Sequence, residues 1–295
     1  MRYSILILLI LFNVDIKSQN LVLNPSFEEY STRQLYPMYD RKDFFANHWS
    51  HIFLGTFSTV DFYSRDSLDT LSIFNVPENF FGNHPSMSGD SYIGMIVWGP
   101  NQLLEHITGS LKEPLVKGKR YQISLYVRHA GQKSAIKLSK LEVLFSSKSD
   151  HGALPEKFVF NDDEILYHNL FSNLKPTADA VLPIPKGEDS ITGWQRITSF
   201  YTASGGEEFI TLGLFYQGDS ISSRLNRIAH KYQKSFPKKK KRQRFLKNIE
   251  QEGVDFISFN ADYEVSEWFS DDGIPSSQRD FAYYFIDMVS VVEVE

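Results

Sequence analysis

Residues 121–128 read Tyr121-Gln122-Ile123-Ser124-Leu125-Tyr126-Val127-Arg128. Tyr121, Ile123, Leu125 and Val127 fall on one side of an extended chain, and Gln122, Ser124, Tyr126 and Arg128 on the other. That is the period-two pattern of a strand with one buried face. Pro114 and Gly118-Lys119 supply a turn before it. Working outward, runs of β-forming residues recur between Gly, Pro, Asn and Asp clusters: Leu141–Phe145, Trp194–Tyr201 and Phe209–Tyr216 downstream, Ser91–Trp98 upstream. Gly55–Leu71 reads as a strand flanked by loop and Phe81–Ser88 as a loop. Asn20–Phe27 near the start and Tyr283–Val294 near the end are the outermost strands. Short strands separated by turn residues predict an all-β antiparallel sandwich.

Composition agrees. Aromatic residues make up 15% of the chain, with 24 Phe and 15 Tyr, which suits strands and a sandwich core. The length allows one large β domain or two small ones, and a single domain is expected over 19–295. There is no Cys, so no disulfide can staple the fold and stability must come from core burial, helped by any bound metal. Met1-Arg2, the apolar run Ile5–Phe12 and the polar stretch to Ser18 read as a secretory signal over residues 1–18. The apolar run is short for a permanent span, and no later stretch is long and apolar enough to be one.

Net charge is −5, but the sign is unevenly spread. No acidic residue occurs from Ser220 to Ile249, while eleven of the 31 Lys and Arg fall between Arg224 and Lys247. Leu225, Ile228, Tyr232, Phe245 and Leu246 lie among them, with Pro237 as a break. This predicts a basic helical insertion at about 220–250, carried between two strands. Such a segment attracts anionic partners by charge alone, or it simply offsets an acidic body.

Asn20-Leu-Val-Leu-Asn-Pro-Ser-Phe-Glu28, Gly89-Asp-Ser-Tyr-Ile-Gly94, the stretch Leu111–Tyr121, Trp194-Gln-Arg-Ile197 and Tyr284-Phe-Ile-Asp-Met-Val-Ser-Val291 follow one another in an order that carries a resemblance. Together they resemble the galactose-binding-like jelly roll of bacterial carbohydrate-binding modules, as found at the N-terminus of OmpA-family and gliding-associated envelope proteins. The resemblance implies a jelly-roll β-sandwich, exported to the periplasm, the cell surface or the medium. It also implies a structural Ca²⁺ held by Glu28 and Asp287. Read from the residues alone, Glu28 could equally be solvated and Asp287 could cap a backbone amide.

Sugars stack an apolar C–H face on aromatic rings while their hydroxyls need polar neighbours. The candidate ligand residues are Trp98, which ends a strand at Gly99-Pro100, with Trp49, Tyr63, Tyr92 and His84. Phe81 and Trp268 are further aromatic candidates. Aromatics also dominate sandwich cores, so each has a packing alternative.

Catalytic signatures are missing. There is no cysteine nucleophile, Gly-x-Ser-x-Gly elbow, phosphate loop or His-Glu-x-x-His helix. The pairs Glu28-Glu29, Asp162-Asp163 and Asp271-Asp272 read as turn residues rather than opposed glycosidase carboxylates. The expectation is a non-catalytic envelope or cell-surface module that binds a glycan. A structural or adhesion protein touching an anionic partner through residues 224–247 is the alternative, and a glycoside hydrolase a third reading.

Overall fold

The computed structural model describes residues 19–31, 46–51, 60–66, 73–99, 104–148, 178–186, 193–215, 227, 257–259 and 281–295. The described strands are β1 (Trp49–His51), β2 (Asp61–Ser64), β3 (Glu78–Asn79), β4 (Gly82–Asn83), β5 (Ser91–Trp98), β6 (Ile107–Ser110) and β7 (Arg120–His129). They continue with β8 (Ile136–Leu138), β9 (Lys140–Ser146), β10 (Ala180–Pro183), β11 (Gln195–Thr202), β12 (Phe209–Gly213), β13 (Ile257–Phe259) and β14 (Ala282–Val294). All strand pairs are antiparallel. One five-stranded sheet runs β1-β6-β12-β9-β10, the other β11-β7-β14-β5-β2; β13-β8 and β3-β4 are small pairs.

The alternation of β7 sets the core. Tyr121, Ile123, Leu125 and Val127 point inward beside Ile93, Met95 and Val97 of β5. They share one hydrophobic core with Ile107, Leu141, Val143, Phe145, Leu182, Ile210 and Leu212 of the opposite sheet, so the two sheets form a sandwich. Burial of this apolar area, at about 25 cal/mol per Å², is what stabilises a chain without disulfides.

β14 changes face partway along. Ala282, Tyr284 and Ile286 face the core before Asp287, Val289 and Val291 after it. The switch is a bulge: Asp287 pairs with Tyr126 and Ser290 with Ser124, so β14 carries one residue more than β7 there. Met288 sits in the bulge at φ 54°.

The second sheet has a roof over half of its outer face. Residues 73–90, with the β3–β4 hairpin, bring Phe74, Val76, Phe81 and Met87 onto Tyr63, Tyr92, Trp194, Tyr283 and Phe285. This corrects the reading of Phe81–Ser88 as loop: Gly82–Asn83 is a strand and Phe81 packs against the second core.

Asn20–Phe27 meets β14 as expected, though as an irregular seam rather than a strand. Leu21 N donates to Val291 O at 2.8 Å and Val289 N to Pro25 O at 2.8 Å, while Leu23 N reaches Ser110 O of the other sheet at 3.0 Å. Asn24, at φ 46°, ties the knot. Its Nδ2 donates to Glu29 O and Asn47 O, and its Oδ1 accepts from Glu29 N. Residues 1–18 lie outside the described part of the chain, as does the basic stretch apart from Arg227, so the structure gives no account of a signal or of a helical insertion.

Candidate functional site

Glu28 and Asp287 converge on the turn 86–91 that links the roof to β5. Asp287 Oδ2 accepts from the amides of Met87 and Ser88, both at 3.0 Å, and Oδ1 from Met288 N at 2.7 Å. Glu28 Oε1 accepts from Asp90 N at 3.1 Å and Ser91 N at 2.9 Å. The bulge re-aims Asp287 at this turn. Gly89, at φ 65°, is required beneath Glu28: a methyl group there would lie 2.4 Å from Glu28 Cδ. Burial pushes the Asp287 carboxyl up to about 7, against the three amides that pull it down, and the Glu28 charge adds to the rise. Burial also raises Glu28. Neither forms an ion pair with Lys or Arg among the described residues. Two hard carboxylates facing one turn, with like charges that repel, are donors that fit a hard cation. Side chains alone make no complete cage: among the described residues no group of three or more His, Cys, Asp or Glu could hold a metal. Carbonyls of the turn would have to complete it.

The proposed sugar platforms take other roles. Trp98 and Trp49 are buried in the main core, each 5% exposed. Trp49 pairs with Gly109, and a methyl group on Gly109 would lie 2.6 Å from the indole. Its Nε1 donates to Asn24 O at 2.9 Å. Tyr63, Tyr92 and His84 do come together, but beneath the roof. Tyr63 stacks on Tyr92 with centroids 5.1 Å apart, and Phe285 lies edge-on to both. The Tyr63 and Tyr283 hydroxyls are 2.9 Å apart, and Tyr283 donates to Asp61 Oδ2 at 2.5 Å. Tyr92 donates to His84 O at 2.7 Å and accepts from Asn79 Nδ2 at 2.8 Å. His84 is buried against Phe285, and burial pushes its ring down to about 4, with the Arg128 charge adding to the fall. None of the five presents an open ring face: Trp49 and Trp98 pack into the main core, His84 is buried within the roof segment, and that segment covers Tyr63 and Tyr92, which strand alternation alone would leave outside. Trp268 lies outside the described residues.

Among the described residues no segment folds over the other half of that outer face. On β11, Arg196, Thr198, Phe200 and Thr202 alternate outward from buried Ile197, in register with Tyr126, Ser124, Gln122 and Arg120 of β7. Ser290, Val292 and Val294 of β14 continue the rows opposite Ser124, Gln122 and Arg120. Phe200 is 46% exposed and Met288, at the bulge, 37%. Arg196 Nη2 donates to Ser124 Oγ at 3.2 Å, and the Arg120 guanidinium lies 4.2 Å over the Phe200 ring. An exposed ring among amide, hydroxyl and guanidinium groups can hold a ligand that has both an apolar face and many hydroxyls. These residues were not singled out in the sequence. The signal was present, since Gln122, Ser124, Tyr126 and Arg128 are the polar positions of the alternation that fixes β7.

No family model and no curated protein sequence matches this chain. Among solved structures it is similar to the CBM22-1–GH10 modules of Clostridium thermocellum endo-1,4-β-D-xylanase 10B complexed with xylohexaose, at 12% identity and TM-score 0.33 over 86% of this chain and 27% of that one. It is also similar to the K1 cleaved adhesin domain of Lys-gingipain from Porphyromonas gingivalis W83, at 11% identity and TM-score 0.34 over 92% of this chain and 96% of that one. An arabinose-bound GH51 α-L-arabinofuranosidase matches at 8% identity and TM-score 0.36, over 93% of this chain and 26% of that one. The chain thus spans about a quarter of the first and third of these. No helix among the described residues is long and apolar enough to cross a membrane.

Proposed function

We propose that this chain is a non-catalytic jelly-roll binding module, exported to the envelope, cell surface or medium, that recognises carbohydrate on the open half of its second sheet. The observation that carries the reading is the set of rows Arg196–Tyr126, Thr198–Ser124–Ser290 and Phe200–Gln122–Val292, with Phe200 exposed among amide, hydroxyl and guanidinium side chains. A pyranose offers its C–H face to Phe200 and its hydroxyls to Gln122, Thr198 and Arg196. Glu28 and Asp287, with carbonyls of the turn 86–91, would hold a structural Ca²⁺. That ion would supply the positive charge the paired carboxylates lack and fix the roof that borders the open face.

Isothermal titration against neutral and acidic oligosaccharides tests the reading. Phe200→Ala is expected to weaken binding about fivefold or more, the worth of one aromatic contact of about 1 kcal/mol, with the melting temperature unchanged. Binding that ignores Phe200→Ala yet depends on residues 224–247 would favour an adhesion scaffold acting through the basic stretch.

A further inference from the structure

We infer that the open half-face selects an acidic glycan, one bearing carboxylate or sulfate groups, and that Arg120 and Arg196 are the residues that select it. This rests on the glycan reading above and adds the charge of the ligand.

The alternation of β7 puts Arg120 and Arg128 on the same outer side, eight residues apart, which is about 26 Å of strand. Arg196 projects from β11 on that side, opposite Tyr126. Arg128 marks the border with the roof, where its Nη2 donates to Asn83 O at 3.3 Å. Between these cations stand only uncharged side chains: Gln122, Ser124, Thr198, Phe200 and Ser290. Among the described residues the one carboxylate in these rows is Asp287, opposite Tyr126. Asp287 is turned into the amides of the turn 86–91. Glu293 belongs to the opposite parity of β14 and is held by Lys119 at 2.7 Å, with Glu295 following it at the lower end. In a chain of net charge −5, a face with three arginines whose one carboxylate is turned into backbone amides runs against the average.

The type of cation matters as well. A guanidinium presents its donors as a planar fork that matches a carboxylate or a sulfate bidentately, which neutral hydroxyls do not require. Arg196 spends one bond on Ser124 and has further N–H groups to offer. Arg120 lies on the Phe200 ring, so charge and apolar surface form one composite patch. A uronate has the same pairing: a carboxylate at the edge of a ring whose face is C–H.

The test uses the full chain with short oligogalacturonates, their methyl esters on the same backbone, and neutral xylo- and gluco-oligosaccharides, titrated at low and high salt. Binding is expected to oligogalacturonate, weakened at high salt and lost on esterification. Arg120→Gln and Arg196→Gln should each lower affinity about tenfold, as loss of a charge-assisted pair does, without moving the melting temperature. Equal binding of ester and acid, or of neutral oligosaccharides with no effect of either variant, overturns the inference and leaves the glycan reading standing. Acid binding that survives both variants overturns it too, since the charge would then be read elsewhere. Binding to no oligosaccharide of either kind overturns both.

Discussion

Trp98 shows how a single residue changes meaning with its surroundings. At the end of an apolar strand and beside Gly99-Pro100 it reads as a ring at a loop mouth, yet it packs into the main core at 5% exposure. Trp98→Ala is therefore expected to cost about 3–5 kcal/mol of stability, as truncation of a buried aromatic does, measured by urea unfolding. A Trp98→Ala protein of unchanged stability that has lost ligand binding would reverse this assignment. Tyr63 and Tyr92 teach the same lesson from the other direction. Each points to the outer side of its strand, but whether that side meets water depends on residues 73–90, and no local pattern announces a roof. Glu28 and Asp287 were legible as a pair through the resemblance, which matches them to carboxylates at the two ends of the chain. Amide capping by Asp287 was open from the residues alone; what the sequence could not show is that Glu28 caps the same turn.

Among elements, the long alternating ones were legible and the short mixed ones were not. β5 and β7 match their predicted spans to within a residue at each end, β7 because its period-two pattern leaves little choice and β5 because it is an unbroken run of β-forming residues buried on both faces. β6, read as Ile107-Thr-Gly-Ser110, and β10, Ala180–Pro183, owe their strand state to neighbours rather than to composition. The turn from β7 to β8 carries a pH dependence of its own. His129 Nε2 donates to Ile136 O at 2.9 Å while Nδ1 accepts from Gly131 N at 3.2 Å, so the buried ring is held neutral. Burial pushes it down to about 4; the Ile136 carbonyl opposes this, and the charges of Lys137 and His84 assist it. A folded value below the ordinary 6.5 means that this stabilisation is present above about pH 6.5 and lost as pH falls towards 4. His84 shifts in the same direction. His129→Gln should flatten the loss of stability between pH 7 and 4 in denaturant titrations. An unchanged slope would show that this ring does not carry it.

At the scale of the whole molecule, the N-terminal seam joins both sheets and its Glu28 meets Asp287 of the last strand across the turn 86–91. Asp287 has the opposite sign to the histidines. Its folded value of about 7 lies above the ordinary 3.8, so its contribution is full below about pH 3.8 and is lost as pH rises through 7. A bound cation needs the carboxylate and would offset that loss. Adding Ca²⁺ should therefore raise the melting temperature more at pH 8 than at pH 5, and Asp287→Asn should abolish the difference. No response at pH 8 would remove the ion from the account. The same turn anchors the roof, which divides the outer sheet face into a closed aromatic half and an open polar half. That division sets where a ligand can sit, and amide chemical shifts during oligosaccharide titration report it residue by residue. Perturbations are expected to concentrate at Arg120–Tyr126, Arg196–Thr202 and Met288–Val292. Perturbations confined to residues outside these strands, or none with any oligosaccharide, would contradict it.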